Sequence, residues 1–369
     1  MKITKIAKFT CSVYKSLSQK VVEALKECGI NSIITQRSSS IVSTDRHWIF
    51  NRKGVTENIL ETFHFYVPAE DEKKVFDNIV SSLELLQEGR GSLFSEPAVL
   101  IEGGGDNENF GGLDFEFDAN GGNYMGICAI TQRGKGLRIA KTAIDKGSCV
   151  PTISYGIGGG IRDRMGLIRI TIPAEKETIN IVVANHDAHG MMDLLIDGGR
   201  LDRPGMGFIF SYPVNLAALD TKTFFGSNRA AASIGQIISV IDSMQGGTEW
   251  RRRTFNPKNF AGRDFMLDLE NIMLVCNDTQ SKEMLDAAMS AGAGGATIST
   301  CREISFLPQK EGAGKKTIEI SDMVVPAKLR VKILTEIVNA GFFSNLVNGK
   351  IIVKKSAAAY SYTDKKRKS

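Results

Sequence analysis

LFSEP at 93–97 returns as IFSYP at 209–213, and TFHFYV from Thr62 returns as TINIVV from Thr178 at the same spacing. Two separate matches at one offset mark an internal repeat, and a repeat decides the architecture before any single motif does. A fainter third copy follows: GSCVPTIS from Gly147 is echoed by GAGGATIS from Gly292, and TINI from Thr178 by TIEI from Thr317. Each copy reads in one order. A short apolar strand (3–9, 125–130, 271–276) precedes a helix marked by Leu17, Val21, Val22 and Leu25, or by Leu137, Ala140 and Ile144. The helix stops at Gly29, Gly147 or Gly292, where a left-handed cap belongs. A second strand (33–36, 152–155, 297–301), a long polar or Gly-rich loop and a third strand (62–67, 178–183, 317–321) follow. A second helix carries Val75, Ile79 and Leu83, or Met192 and Leu195, or Val331, Leu334 and Val338, and a last strand starts at Leu93, Phe208 or Lys350.

The order βαββαβ predicts an α+β protein of three tandem ferredoxin-like modules. Apolar residues on both strand faces leave each module one uncovered sheet face, so the three copies are expected to cover one another as an intramolecular pseudo-trimer, a self-contained monomer. The boundaries fall at 1–103, 123–216 and 265–360, with 361–369 as a basic tail. The connector at 103–122 is acidic and Gly-rich; that at 217–264 carries a predicted helix with Ile234, Ile237, Ile238 and Ile241 on one face.

The chain has 369 residues, 42% hydrophobic and 24% charged, which is ordinary globular usage. Its net charge of +5 gathers near the end, at Lys350, Lys354, Lys355, Lys365, Lys366, Arg367 and Lys368. The remainder is close to neutral, so no electrostatic footprint for nucleic acid is expected. No window approaches the ~18 apolar residues of a membrane span, and the first residues lack an apolar signal core, which predicts a cytoplasmic protein. The six cysteines lack CxxC spacing and read as buried thiols.

The chemistry-bearing segments sit mainly in the second copy. YGIGGGIRDR places Gly156, Gly158, Gly159 and Gly160 after a strand, where successive amides can converge on an anion with Arg162 or Arg164 beside them. A plain mobile loop is the other reading. LDRPGMGFIF puts Arg203, Gly205 and Gly207 in the turn before the last strand, as a second cradle or as an ordinary turn. NHDAH offers His186 and His189 around Asp187, half a metal site or a capped helix start. WRRR at 250–253 can clamp phosphates or lie in solvent. No nucleophilic elbow is present, which predicts a protein that is not an enzyme.

From AITQRGKGLRIAKTAIDKG through PTISYGIGGGI and IPAEKETINIVV to LDRPGMGFIFSYPV, the second copy resembles the PII family of nitrogen-regulatory signal proteins. The first and third resemble it by layout and scattered positions. The resemblance implies trimers of ferredoxin-like subunits that bind ATP or ADP, with or without Mg, in clefts between subunits and reach a regulated target protein through a mobile loop. Carried over, it implies that Thr152 meets the adenine end, Gly156 and Gly158 form the loop base, and Gly205 and Gly207, beside Arg203, supply the opposing phosphate turn. Thr297, Arg302, Gly349 and Lys350 match in the third copy, and Arg90 and Gly91 in the first. Ile157 and Met206 stand where relatives carry basic residues, Cys301 and Ser38 where they carry Gly, and Ile34 where they carry Thr, so the clefts are unequal. No Gln and Lys pair matches a 2-oxoglutarate site. Two rival functions stay open: a ligand-free interaction scaffold, and a metal-responsive protein using His186 and His189.

Overall fold

The computed structural model of the chain describes residues 1–45, 53–103, 110, 123–146, 148–160, 175–222, 224–225, 243–244, 263–306 and 315–362. The predicted helix at 234–241, WRRR, Arg162, Arg164 and most of the basic tail lie outside them. The first third runs β1 (Lys2–Tyr14), α1 (Ser18–Glu27), β2 (Ser32–Asp45), β3 (Lys53–Pro68), α2 (Glu72–Leu83) and β4 (Gly91–Glu102). The middle runs β5 (Tyr124–Gln132), α3 (Gly136–Asp145), β6 (Thr152–Gly160), β7 (Glu175–Ala184), α4 (Ala188–Gly199) and β8 (Gly207–Val214), then short β9 (Leu216–Ala218) and β10 (Phe224–Phe225). The last third runs β11 (Leu269–Asn277), α5 (Ser281–Ser290), β12 (Gly295–Ser305), β13 (Lys315–Pro326), α6 (Arg330–Asn339), β14 (Lys350–Ser356) and β15 (Ala358–Ser361).

This corrects the expectation of three ferredoxin-like modules in a pseudo-trimer. The strands do not form three sheets. They form one sheet, antiparallel except where the short β10 pairs β2 in parallel, whose order β2-β3-β1-β4-β14-β11-β13-β12-β6 returns to β2, a nine-strand barrel, with β7, β5, β8 and β15 continuing outward from β6. The reason lies at the strand edges. An open edge leaves a row of amides and carbonyls unpaired, and here β4 pairs β14 while β12 pairs both β2 and β6.

Helices cover the outside of the sheet through their apolar stripes. Val21, Ala24 and Leu25 of α1 and Val75, Ile79 and Leu83 of α2 pack on Phe9, Phe63 and Phe65. Ile139, Ala140 and Ala143 of α3 do the same in the middle third, as do Ile333, Leu334 and Ile337 of α6 in the last. Gly29 and Gly292 follow their helices at φ 75° and 116°, as the cap reading expects. The barrel interior is layered. One end is apolar, with Ile6, Leu100, Met273, Ile318 and Ile352. The other is lined by hydroxyls, with Ser12 Oγ 2.9 Å and Ser38 Oγ 2.7 Å from Thr62 Oγ1.

The second correction concerns the loops expected after the second strands. β2 runs on to Asp45, and Gly156 to Gly160 belong to β6. Ladder pairing, Gly158 against Thr297 and Gly156 against Lys176, replaces the open cradle in which their amides were to meet an anion. A close backbone approach accounts for Gly156, whereas Gly158 meets only the flexible Lys176 side chain and Gly159 has open space around it. A Cβ on Gly156 would lie 2.7 Å from the Ile298 carbonyl oxygen, and one on Gly158 2.5 Å from Lys176 Cε.

Candidate functional site

Between the apolar and hydroxyl layers lies a charged one. Glu96, 2% exposed, accepts from Lys8 Nζ at 2.7 Å and from Lys354 Nζ at 2.8 Å, and Asp322 completes a set of two cations and two carboxylates. Burial opposes the Glu96 charge, but Lys354 and Lys8 overcome it and hold the carboxyl down to about 2. Burial lowers the Lys8 amine, whereas Glu96 and Asp322 raise that of Lys354 against its burial. His64, with Nδ1 3.3 Å from Thr10 Oγ1, is pushed down to about 3, first by desolvation and then by Lys8, so it stays neutral near neutral pH.

Above this layer is a narrow cavity of about 50 Å³, lined among others by Thr10, Ser12, His64, Thr152 and Asn180. Thr152 shares this cavity with Ser92, next to Gly91 at the start of β4, while Arg90 and Gly91 are not among its lining residues. Arg90 itself turns away: Nε donates to Leu83 O at 3.0 Å and Nη2 lies 3.3 Å from Glu84. Leu219 fills one wall, and Asp220 beside it accepts from Gly89 N–H at 2.9 Å through Oδ1.

The middle-third residues meet differently. Gly156 and Gly158 face Thr297 across the β6–β12 pairing. Gly205 and Met206 turn their carbonyls toward Gln132 and Thr131, at 3.1 and 2.7 Å, so that turn presents acceptors to its neighbours. Arg203 is exposed in the turn, and Arg302 is exposed on β12 between Thr35 and Thr317.

The roomy groove is at Lys350. A cavity of about 560 Å³ is bounded by Asn31, Ser32, Tyr66, Lys74, Glu303 and Lys350, among others, and a smaller one on the inner side shares Ser32, Tyr66, Glu303 and Lys350. Gly349 starts this strand end, where a Cβ would lie 2.4 Å from the Phe342 carbonyl oxygen. Lys350 Nζ donates to Tyr66 Oη at 3.1 Å and sits 5.8 Å from the ring centroid. Burial works against its charge, but Tyr66, Glu303 and Glu102 carry the amine above its ordinary value.

His186 and His189 take separate partners: His186 lies 3.5 Å from Asp187 and His189 3.8 Å from Asp193. Among the described residues no three His, Cys, Asp or Glu side chains gather as a metal site. Asp187 at the α4 N-cap makes no side-chain cap bond. Sequence reasoning missed Tyr66, Glu96, His64, Lys354 and Asp220. Glu96 carried a signal, since it stands in LFSEP where IFSYP has Tyr212, a charged residue in an otherwise buried strand.

Among the described residues no helix is long and apolar enough to cross a membrane. No protein-family model matches the chain, and no curated protein does. Solved structures similar to part of it are PII proteins. One is Arabidopsis thaliana PII bound to citrate, 21% identical, covering 25% of this chain and 78% of that one at a TM-score of 0.21. Another is B. subtilis GlnK, 13% identical, covering 27% of this chain and 90% of that one at a TM-score of 0.23.

Proposed function

We propose that the protein is a non-catalytic regulator that takes an adenine nucleotide, ATP or ADP, where Lys350 meets Tyr66, and passes occupancy of that groove to a partner protein. The groove itself carries the reading: about 560 Å³ with Lys350 and Lys74 on its wall and Tyr66 beside them. Sites for small ligands run from ~300 to ~1,000 Å³ and combine an apolar face with a few placed polar groups. Ammonium groups suit phosphates, and the Tyr66 hydroxyl that accepts from Lys350 adds a polar group at the same end of the groove. Glu27, Asp71 and Glu303 share the lining, so a Mg²⁺ held by the phosphates offsets repulsion that the bare nucleotide would meet.

The thiols support a non-catalytic role. Burial pushes Cys11, Cys276 and Cys301 up to about 12 and Cys149 to about 11, far from the thiolate a nucleophile needs. The route to a partner is the groove's position. It touches Ser32 at the start of β2 and Ser305 at the end of β12, which pair with each other where the barrel closes. A ligand that orders this junction biases the β2–β3 hairpin, with a coupling of ~1–3 kcal/mol.

Isothermal titration with ATP and ADP, each with and without Mg²⁺, tests this. Binding should be strongest with Mg²⁺, and Lys350→Ala should weaken it ~10-fold, as losing one charge-assisted hydrogen bond does. A folded wild-type protein that gives no heat with any of the four overturns the reading. It would favour the ligand-free scaffold.

A further inference from the structure

We infer that Lys8, on the wall of the small cavity behind the Lys350 groove, is a site of reversible imine formation with a short-chain aldehyde. The inference uses only the passage at Lys350 and no bound nucleotide, so it stands apart from the nucleotide reading.

The barrel brings this amine to a space with an entrance. Lys8 is 4% exposed and lines the inner cavity of about 30 Å³, where Met273, Val275, Ile318, Ile320 and Ile352 supply apolar walls. Ser32, Tyr66, Glu303 and Lys350 bound both this cavity and the outer groove, so a small molecule in the groove reaches Lys8 by passing Tyr66 and Lys350. The hydrogen bond from Lys350 Nζ to Tyr66 Oη, at 3.1 Å, spans that entrance.

The surroundings of the amine suit carbonyl chemistry. Burial lowers Lys8 more than the Glu96 charge restores it, and Lys354 adds to the lowering. Lysines tuned in this way give up the proton that a nucleophilic amine must lose. Nζ lies 2.7 Å from Glu96 Oε2 and 3.3 Å from Thr10 Oγ1, and Thr10 Oγ1 lies 3.3 Å from His64 Nδ1. A carboxylate, a hydroxyl and a neutral imidazole are thus in line to pass protons.

Charge selects the reagent. The Lys8 nitrogen adds to the carbonyl carbon, the C–O bond breaks, and the oxygen leaves as water with two of the three ammonium hydrogens; the third stays on the C=N nitrogen. The product is a cation, as Lys8 was, and keeps its pairing with Glu96. Acylation would leave a neutral amide there and carbon dioxide a carbamate anion, and either would unbalance the buried set of Lys8, Lys354, Glu96 and Asp322. The apolar walls and the small volume favour a short, unbranched alkyl chain on the carbonyl.

The test uses the full chain without nucleotide, propanal as probe, and cyanoborohydride to reduce the imine and fix the adduct, with modified lysines located by peptide mass mapping. In the folded protein Lys8 should be alkylated at least ~10-fold faster than the exposed Lys15 and Lys20, as a positioned and desolvated amine reacts ahead of a free one. Pivaldehyde, with its bulky branched carbon, should label the exposed lysines and leave Lys8 unmodified. Lys350→Ala widens the entrance and should raise the Lys8 rate. Folded wild-type protein in which Lys8 stays unlabelled, or reacts no faster than Lys15, overturns the inference, and so does equal labelling of Lys8 by both aldehydes. A folded Lys350→Ala protein with an unchanged Lys8 rate overturns it too; if that variant does not fold, the two wild-type measurements decide.

Discussion

At the scale of the residue, Glu96 joins strands that lie far apart in the chain. Its two oxygens take one ammonium from β1 and one from β14. Removing its charge leaves two buried cations facing each other with only Asp322 near. Glu96→Gln should therefore cost ~3–5 kcal/mol in urea unfolding, as breaking a buried pair does; a change within ~0.5 kcal/mol would place the charges in contact with water. The pH dependence follows from two depressed groups. Stability from Glu96 is present above its unfolded value of ~4.3 and is lost as pH falls through about 2. The unfolded His64 takes its proton near ~6.5 while the native ring waits until about 3, so stability declines across that interval on acidification. Melting temperature should fall from pH ~6.5 downward, and His64→Asn should delay the onset toward ~4.3; an unchanged onset would contradict the assignment. The repeat that contains Glu96 was legible in the sequence, but its role was not. Its partner Lys354 stood among the basic residues near the chain end, where one-dimensional charge counting cannot separate a buried ammonium from a solvated tail.

Elements were legible where periodicity and caps agree. Val21 and Leu25 of the expected stripe and the left-handed Gly29 mark α1 in sequence and structure alike, and Ala24 joins the buried face. The long reach of β2 was not legible, because SSSIVSTD looks like a polar loop. Ser38, Ser39 and Ser40 are nonetheless buried, facing β3 and β6, with Ser38 bonded across to Thr62. A run of serines reads as solvated until another strand supplies cross-strand hydroxyls. Glycines at 156–160 misled for a related reason: the same lack of a side chain serves an anion cradle or a close strand approach, and the sequence does not say which. Gly156→Val is the discriminating change. It should destabilise by ~1–3 kcal/mol by overpacking against Ile298 and Thr297, measured by chemical denaturation; a neutral result would favour an open loop there.

For the molecule as a whole, edge pairing decides the architecture. The element order βαββαβ recurs three times along the chain, but pairings such as β4 with β14 or β2 with β12 join residues that no local pattern relates. The closed circuit implies shared stability. Amides of β2, β4, β12 and β14 should exchange at a common free energy in native-state hydrogen exchange, whereas separate opening of the first and last thirds would contradict closure. The proposed ligand capture also belongs at this scale, because the Lys350 groove is built from the first and last thirds of the chain. Crystals grown with ADP and Mg²⁺ test it most directly. The account predicts phosphate density beside Lys350 and Lys74; an empty groove at saturating nucleotide, or nucleotide bound elsewhere, would contradict it.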